Sequence, residues 1–253
     1  MLTGKKGVIL GVANQHSLAW KIAQRCAAHG ASLAIAYQNE RFEDKVNALA
    51  RELPDAFTLP CDLNNDAEIQ QVASTLKERW GQIDFVAHCV AYALREELVG
   101  RYLDTSREGF KIALETSVYT FVAATRHLEP LLRNGASILT LTYLGSERVV
   151  PGYNVMGVAK AALEASVRYL AYELGERQIR VNALSPGPVN TLAARGIRGF
   201  TSMMDYVRHH APFKRDTDPN EVGDAAVFLF SDMGRGITGE VIYIDAGYHI
   251  LGM

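Results

Sequence analysis

Short apolar runs alternate along this chain with stretches whose apolar positions recur every three to four residues. The first run, 7–12, precedes a helical pattern over 17–29; a second run at 32–37 precedes another over 41–53. Runs at 56–59 and 83–88 flank a helical stretch at 66–80. A fifth run, 136–142, follows a long helix. The stretch 153–174 is helical and rich in Ala, Leu and Glu, and 180–185 and 241–245 supply two more strands. Apolar strands alternating with helices predict a parallel sheet of about seven strands, covered on both faces, in one α/β domain spanning 1–253. One irregular stretch, 186–219, breaks the alternation and carries a helical patch near 202–209. Loops of that length in compact domains are commonly functional lids.

Composition narrows the function classes. Hydrophobic residues make up 48% of the 253, enough for a sizeable core. The net charge of −2, with both signs interspersed, lacks the basic footprint of a nucleic-acid binder. No apolar run is long enough to cross a bilayer, and the N-terminus leads into a strand rather than a signal peptide. Three cysteines, Cys26, Cys61 and Cys89, without CxxC spacing, argue against a disulfide framework or a zinc site. The expectation is a cytoplasmic protein with no metal, nucleic-acid or membrane partner.

Candidate chemistry centres on Tyr153 and Lys160. On a helix, i and i+7 share a face two turns apart, so phenol and ammonium would line one wall of a cleft. A neighbouring cation favours the phenolate, which suits reduction of a carbonyl or of a double bond conjugated to one. Tyr143 adds a second phenol ten residues upstream.

The other end of the chain carries a nucleotide-binding pattern. Gly11 ends the first strand where backbone can approach a ligand, and Ser17 is placed to cap the next helix. A pyrophosphate would rest on that helix N-terminus. Gln38 stands at the end of strand two, where an acidic residue normally holds the adenosine ribose of NAD. No Arg or Lys occupies 38 or 39, which favours NADH over NADPH, although Arg41 lies close by. Asp62, after strand three, is either an acceptor for the adenine amine or a turn aspartate.

With these residues assembled, the chain resembles the short-chain dehydrogenase/reductases, and within them the divergent enoyl-[acyl-carrier-protein] reductases of type II fatty-acid synthesis. The likeness rests on Gly11-Val12-Ala13-Asn14, Tyr37-Gln38-Asn39, Cys61-Asp62, Thr142-Tyr143-Leu144-Gly145-Ser146, Tyr153-Asn154-Val155-Met156-Gly157 with Lys160, and Arg180-Val181-Asn182-Ala183. It implies a Rossmann-type doubly wound sheet, NADH-dependent reduction of a trans-2-enoyl thioester carried by acyl carrier protein, and a homotetramer. It implies catalytic roles for Tyr143, Tyr153 and Lys160. Gly11, Ser17, Leu18, Gln38, Asp62, Leu63, Val90, Lys160, Val189, Asn190, Thr191, Leu192 and Ala193 match cofactor positions. Ala93 matches a substrate contact, Tyr143 lies beside it, and Leu98, Met156, Ala194, Ile197, Phe200 and Met203 would line an acyl pocket. The mobile loop would run over about 187–215, and Arg195, Arg198, Arg208 and Lys214 could form a basic rim for an acidic carrier. Departures from the family pattern include Cys89, Ala91, Tyr92, Leu94 and Asn190.

Two alternatives remain on the sequence alone. A 3-oxoacyl (carbonyl) reductase usually places a serine thirteen residues before the tyrosine, and Thr140 stands there instead. A catalytically inactive nucleotide-binding scaffold is the other. His88 is expected to be a hydrogen-bonded core residue, and Tyr169 and Tyr172 to serve packing.

Overall fold

The computed structural model describes residues 1–191 and 199–252. Seven strands form one parallel sheet: β1 (Lys6–Leu10), β2 (Ser32–Tyr37), β3 (Ala56–Pro60), β4 (Ile83–His88), β5 (Leu132–Leu141), β6 (Arg180–Pro186) and β7 (Val241–Ile244), in the spatial order 3-2-1-4-5-6-7. The expected doubly wound α/β architecture is present.

Alternation within each strand splits the core in two. Ile9, Leu33, Ile35 and Tyr37 face one side, where they meet α1 (Leu18–Ala28), α2 (Glu40–Ala50) and α8 (Pro219–Phe230). Val8, Leu10, Ala34 and Ala36 face the other, against α3 (Asp66–Trp80), α5 (Thr120–Leu128) and α6 (Val155–Leu174). Both sets are apolar because a parallel sheet buries both faces. Trp20, Phe85 and Phe230 are fully buried, and the two phenylalanine rings stack at 4.3 Å. Each large side chain so buried contributes about 1.5–3 kcal/mol.

The helices begin where short polar side chains can take up free backbone N–H groups. Ser17 caps α1, Asn39 caps α2 and Asn65 caps α3, with Glu68 bonding back to the Asn65 amide at 3.0 Å. Asp218 caps α8, whose first residue is Pro219. The sequence reading names no helix between 219 and the last strand, yet Val222, Ala226, Val227 and Phe230 form the buried stripe of this one. α7 (Phe200–His210) lengthens the expected patch at 202–209.

The long helix before β5 is also more than a single element. α4 (Arg107–Leu114) and α5 are separated by a π-helical turn, Glu115–Tyr119, that buries Thr116 and Ser117. Among the described residues no helix is long and apolar enough to cross a membrane.

Candidate active site

β5 delivers Tyr143 just beyond its carboxyl end, and a short turn, Leu144–Ser146, brings the chain back under Tyr153. The two rings meet edge to face, with centroids 5.0 Å apart and planes at 68°. Gly157, in the first turn of α6, lies against this turn: a Cβ there would stand 2.7 Å from the Gly145 carbonyl oxygen.

Tyr153 does not sit on the helix face that its spacing from Lys160 suggests. α6 starts at Val155, and Asn154 before it adopts φ +41°, so Tyr153 occupies the turn leading into the helix. The Asn154 amide donates to the carbonyls of Glu97 at 3.2 Å and Gly100 at 3.4 Å, tying that turn to the 95–100 segment.

The electrostatics also differ from expectation. Lys160 is buried, and its ammonium donates to the Leu141 carbonyl at 2.7 Å. Burial lowers its pKa to about 8, with Cys89 and Glu164 pulling the other way. Burial raises the Tyr153 hydroxyl well above the ordinary phenol range, helped by Tyr143 and Glu164. Tyr143 is pushed up to about 12 by burial, then by Tyr248 and Asp245. Desolvation therefore dominates, and both phenols are protonated donors at neutral pH.

His88 is the core residue expected. It is fully buried, its ring nitrogens lie 3.1 and 2.9 Å from the hydroxyls of Thr140 and Thr120, and burial lowers its pKa to about 3. Thr140 also donates to the His88 carbonyl at 3.2 Å. Its hydroxyl is thus engaged with β4 rather than with Tyr153, which removes the feature a carbonyl reductase would need there. Burial pushes the Cys89 thiol up to about 12, so it is a protonated small side chain.

At the far end of the sheet edge, Gly11 has φ +96°, and a Cβ there would strike Val90 at 2.7 Å and the Cys89 carbonyl at 2.8 Å. Ser17 accepts from the Trp20 N–H at 3.4 Å. Gln38 donates to Asp62 at 3.4 Å, and the other Asp62 oxygen accepts from the Asn64 backbone and side chain, both at 3.0 Å. Asp62 thus orders a turn and presents a carboxylate beside Gln38. A hollow of about 670 Å³ opens next to them, lined by Asn39, Arg41, Pro60 and Gln71 among others. Leu63 is buried in the core, Val189 is half-buried and Asn190 exposed, and the Thr191 N–H donates to Val189 at 2.8 Å.

On the substrate side, Leu98 and Met156 share a small apolar cluster with Tyr153, and Ala91, Ala93 and Tyr143 pack against it. The Tyr143 hydroxyl donates to the Met203 sulfur at 3.5 Å, and Phe200 opens α7. Leu192, Ala193, Ala194, Arg195, Ile197 and Arg198 lie outside the described residues. Arg208 is not a free rim charge: it pairs with Asp205 at 3.2 Å and Asp216 at 2.7 Å, while Lys214 donates to the His209 carbonyl at 2.8 Å.

Three residues at the site carry no sequence signal of their own. Ser117 accepts from the Tyr92 N–H at 3.0 Å and donates to its carbonyl at 3.1 Å. Glu164 is buried and accepts from the Thr142 hydroxyl at 2.5 Å. Asp245 accepts from two backbone N–H groups just after β7. Only the serine/acid residue types and their chain positions were visible beforehand; burial and partners give them their roles.

Comparison with known proteins gives a consistent picture. Residues 11–249 match the family model described as enoyl-(acyl carrier protein) reductase. Enoyl-(acyl-carrier-protein) reductase (NADH) 1 of Rhizobium meliloti is 50% identical over 253 residues, covering 100% of this chain and 93% of the relative. Enoyl-(acyl-carrier-protein) reductase (NADH) FabI of Bacillus subtilis is 51% identical, covering 98% of this chain and 97% of that one. The Bacillus cereus reductase crystallised with NADP+ and an indole naphthyridinone superposes with a TM-score of 0.98 at 51% identity, covering 100% of this chain and 99% of that chain. The Anaplasma phagocytophilum reductase in complex with NAD gives 0.96 at 50% identity, covering 100% and 96%.

Proposed function

Because the chain belongs to the enoyl-(acyl carrier protein) reductase family, we propose that Tyr143, Tyr153 and Lys160 form its catalytic centre and that the carboxyl edge of the sheet holds its cofactor. It is an NADH-dependent enoyl-acyl-carrier-protein reductase of fatty-acid synthesis. The observation that carries the site assignment is the pair of phenols packed edge to face at the carboxyl end of β5, where Lys160 also bonds the Leu141 carbonyl.

The residues present fit a nicotinamide dinucleotide. Gln38 and Asp62 offer donor and acceptor groups for the adenosine end, and the N-terminus of α1 favours the pyrophosphate. Lys160 offers its ammonium to the nicotinamide ribose. NADH, when bound, supplies the hydride that reduces the β-carbon of the trans-2-enoyl thioester. As negative charge builds on the thioester oxygen, Tyr153 donates a hydrogen bond to it, and its buried setting strengthens that interaction. Tyr143 stands as the second phenol at the same place, with its ring fixed against Tyr153. Leu98, Met156, Phe200 and Met203 line the acyl pocket together with Ala93.

Several wider features follow the same reading. Among the described rim residues Lys214 is left for the acidic carrier, since Arg208 is already matched by two aspartates. Tyr169 and Tyr172, 74% and 88% exposed on α6, mark the face that pairs in a homotetramer. Three unbonded cysteines suit the cytoplasm.

The test follows NADH oxidation with a trans-2-enoyl thioester and, in parallel, a 3-oxoacyl thioester. The parent should turn over only the enoyl substrate, and Tyr153→Phe should lose roughly 10²–10³ in rate, the usual cost of one oxyanion donor. Full activity of the phenylalanine variant on every enoyl substrate would remove Tyr153 from the mechanism.

A further inference from the structure

We propose that Glu164 is a positioning residue of this reaction: its buried carboxylate, one helical turn from Lys160, keeps that ammonium charged. The proposal rests on the assignment of Lys160 to the cofactor. Glu164 is 6% exposed and Lys160 5% exposed, one helical turn apart on α6. Residues so spaced have Cβ atoms about 5–6 Å apart on one helix face. The end of β5 anchors each side chain separately. The Leu141 carbonyl accepts from the Lys160 ammonium at 2.7 Å, and the adjacent Thr142 hydroxyl donates to the Glu164 carboxylate at 2.5 Å. A buried carboxylate is costly unless it is paired and hydrogen-bonded, so its presence here calls for a partner.

The other groups facing this pair do not supply a negative charge. From β4, His88 is held neutral and the Cys89 thiol protonated, both mainly by burial. Tyr153, in the turn before α6, and Tyr243, on β7, are both raised first by burial; Tyr143 comes next for the former and Glu147 for the latter, and Glu164 adds to each. β5 contributes only a carbonyl and a hydroxyl. Among the described residues Glu164 is the carboxylate coupled to Lys160, and it acts against the desolvation that lowers the ammonium. Deleting the carboxylate should therefore let the lysine lose its proton at lower pH.

The experiment measures kcat/KM and NADH binding by fluorescence from pH 6 to 10 for the parent, E164Q, E164L, E164D and K160R. The parent should decline on the alkaline side near pH 8, where Lys160 titrates. In E164Q that limb should move about one pH unit or more towards acid, as expected on losing a close opposite charge. The loss at pH 8 should be about fivefold or more beyond any loss at pH 6. E164L removes the same charge with an apolar side chain and gives an independent reading of the shift. E164D should return the limb towards its parental position. K160R separates the two ideas, because a guanidinium stays charged throughout and should abolish the limb. A limb that vanishes in K160R but stays put in folded E164Q or E164L overturns the role of Glu164. A limb near pH 8 that survives in K160R overturns the assignment of Lys160 on which the proposal stands.

Discussion

Gly145 has no side chain because Tyr153 occupies the place where one would go. A Cβ on Gly145 would lie 2.5 Å from one ring carbon of Tyr153 and 2.9 Å from the next, so Gly145→Ala must turn the ring away. A misplacement of about 1 Å at a reacting centre costs roughly 10²-fold in rate. The variant should keep its fold and its NADH affinity while kcat falls by about that factor. Parental kcat in a correctly folded Gly145→Ala would mean that the orientation of the phenol is immaterial. At this scale the sequence was legible where chemistry follows from residue type and spacing. Tyr143, Tyr153 and Lys160 stand out that way, as do Gln38 and Asp62 at the strand ends. What it hid were conformations and environments. The positive φ of Asn154, which moves Tyr153 off the helix, has no counterpart in composition. The protonation of both phenols depends on burial, which becomes visible only once the chain is folded.

Among the elements, the π-helical turn between α4 and α5 shows what periodicity misses. Five residues with unremarkable helical composition, Glu115–Tyr119, leave the regular ladder, and the gain is the placement of Ser117 beneath the 91–93 segment. Such turns recur at functional sites because they re-aim a side chain without ending the helix. Ser117 holds both the N–H and the carbonyl of Tyr92, and the flanking Ala91 and Ala93 pack on the cluster around Tyr153. Ser117→Ala should lower stability by about 1–3 kcal/mol, the cost of leaving such groups without a partner. It should also raise KM for the enoyl thioester several-fold while KM for NADH stays near parental. Lost stability with both KM values unchanged would reduce the turn to a packing feature. α8 failed to register for a different reason. Its cap and its proline at the first helical position are plain signals, but they coincide with the last residues of the irregular stretch, 218 and 219. β5, too, starts four residues earlier than its apolar run, because pairing of Leu132 with Ile83 extends it through the polar Arg133-Asn134.

For the whole molecule, strand order decides where chemistry can occur. The chain runs outwards from β1 to β2 and β3, then returns to start β4 on the other side of β1. The reversal opens a crevice at the carboxyl ends of these strands, where parallel sheets bind their ligands. Alternating apolar and helical segments predicted the parallel sheet, but pairing partners are long-range and leave no local trace. The same holds for the C-terminal segment, which closes the site from the β7 side. Asp245, buried just after β7, accepts from the Gly247 N–H at 3.0 Å, the His249 N–H at 2.7 Å and the His249 ring at 3.0 Å. This folds residues 245–251 onto α7. Ala246 packs with Val207 and Ala211, the Phe213 N–H donates to the Ala246 carbonyl at 3.2 Å, and Tyr248 meets Tyr206 edge-on. On the other side the Arg148 guanidinium donates to the Leu251 carbonyl, a few residues beyond Tyr143. The segment thus links the helix carrying Met203 to the turn carrying Tyr143, whose hydroxyl meets the Met203 sulfur. Asp245→Ala strips three donors of their acceptor and should release α7 while leaving Gln38, Asp62 and the α1 N-terminus untouched. We therefore expect faster proteolysis within α7 and a KM for the enoyl thioester raised about tenfold or more, from a loss of 1–3 kcal/mol at that contact. NADH affinity should change little. A parallel loss of NADH affinity would instead make Asp245 a support for the whole sheet edge, with no selective hold on the substrate helix.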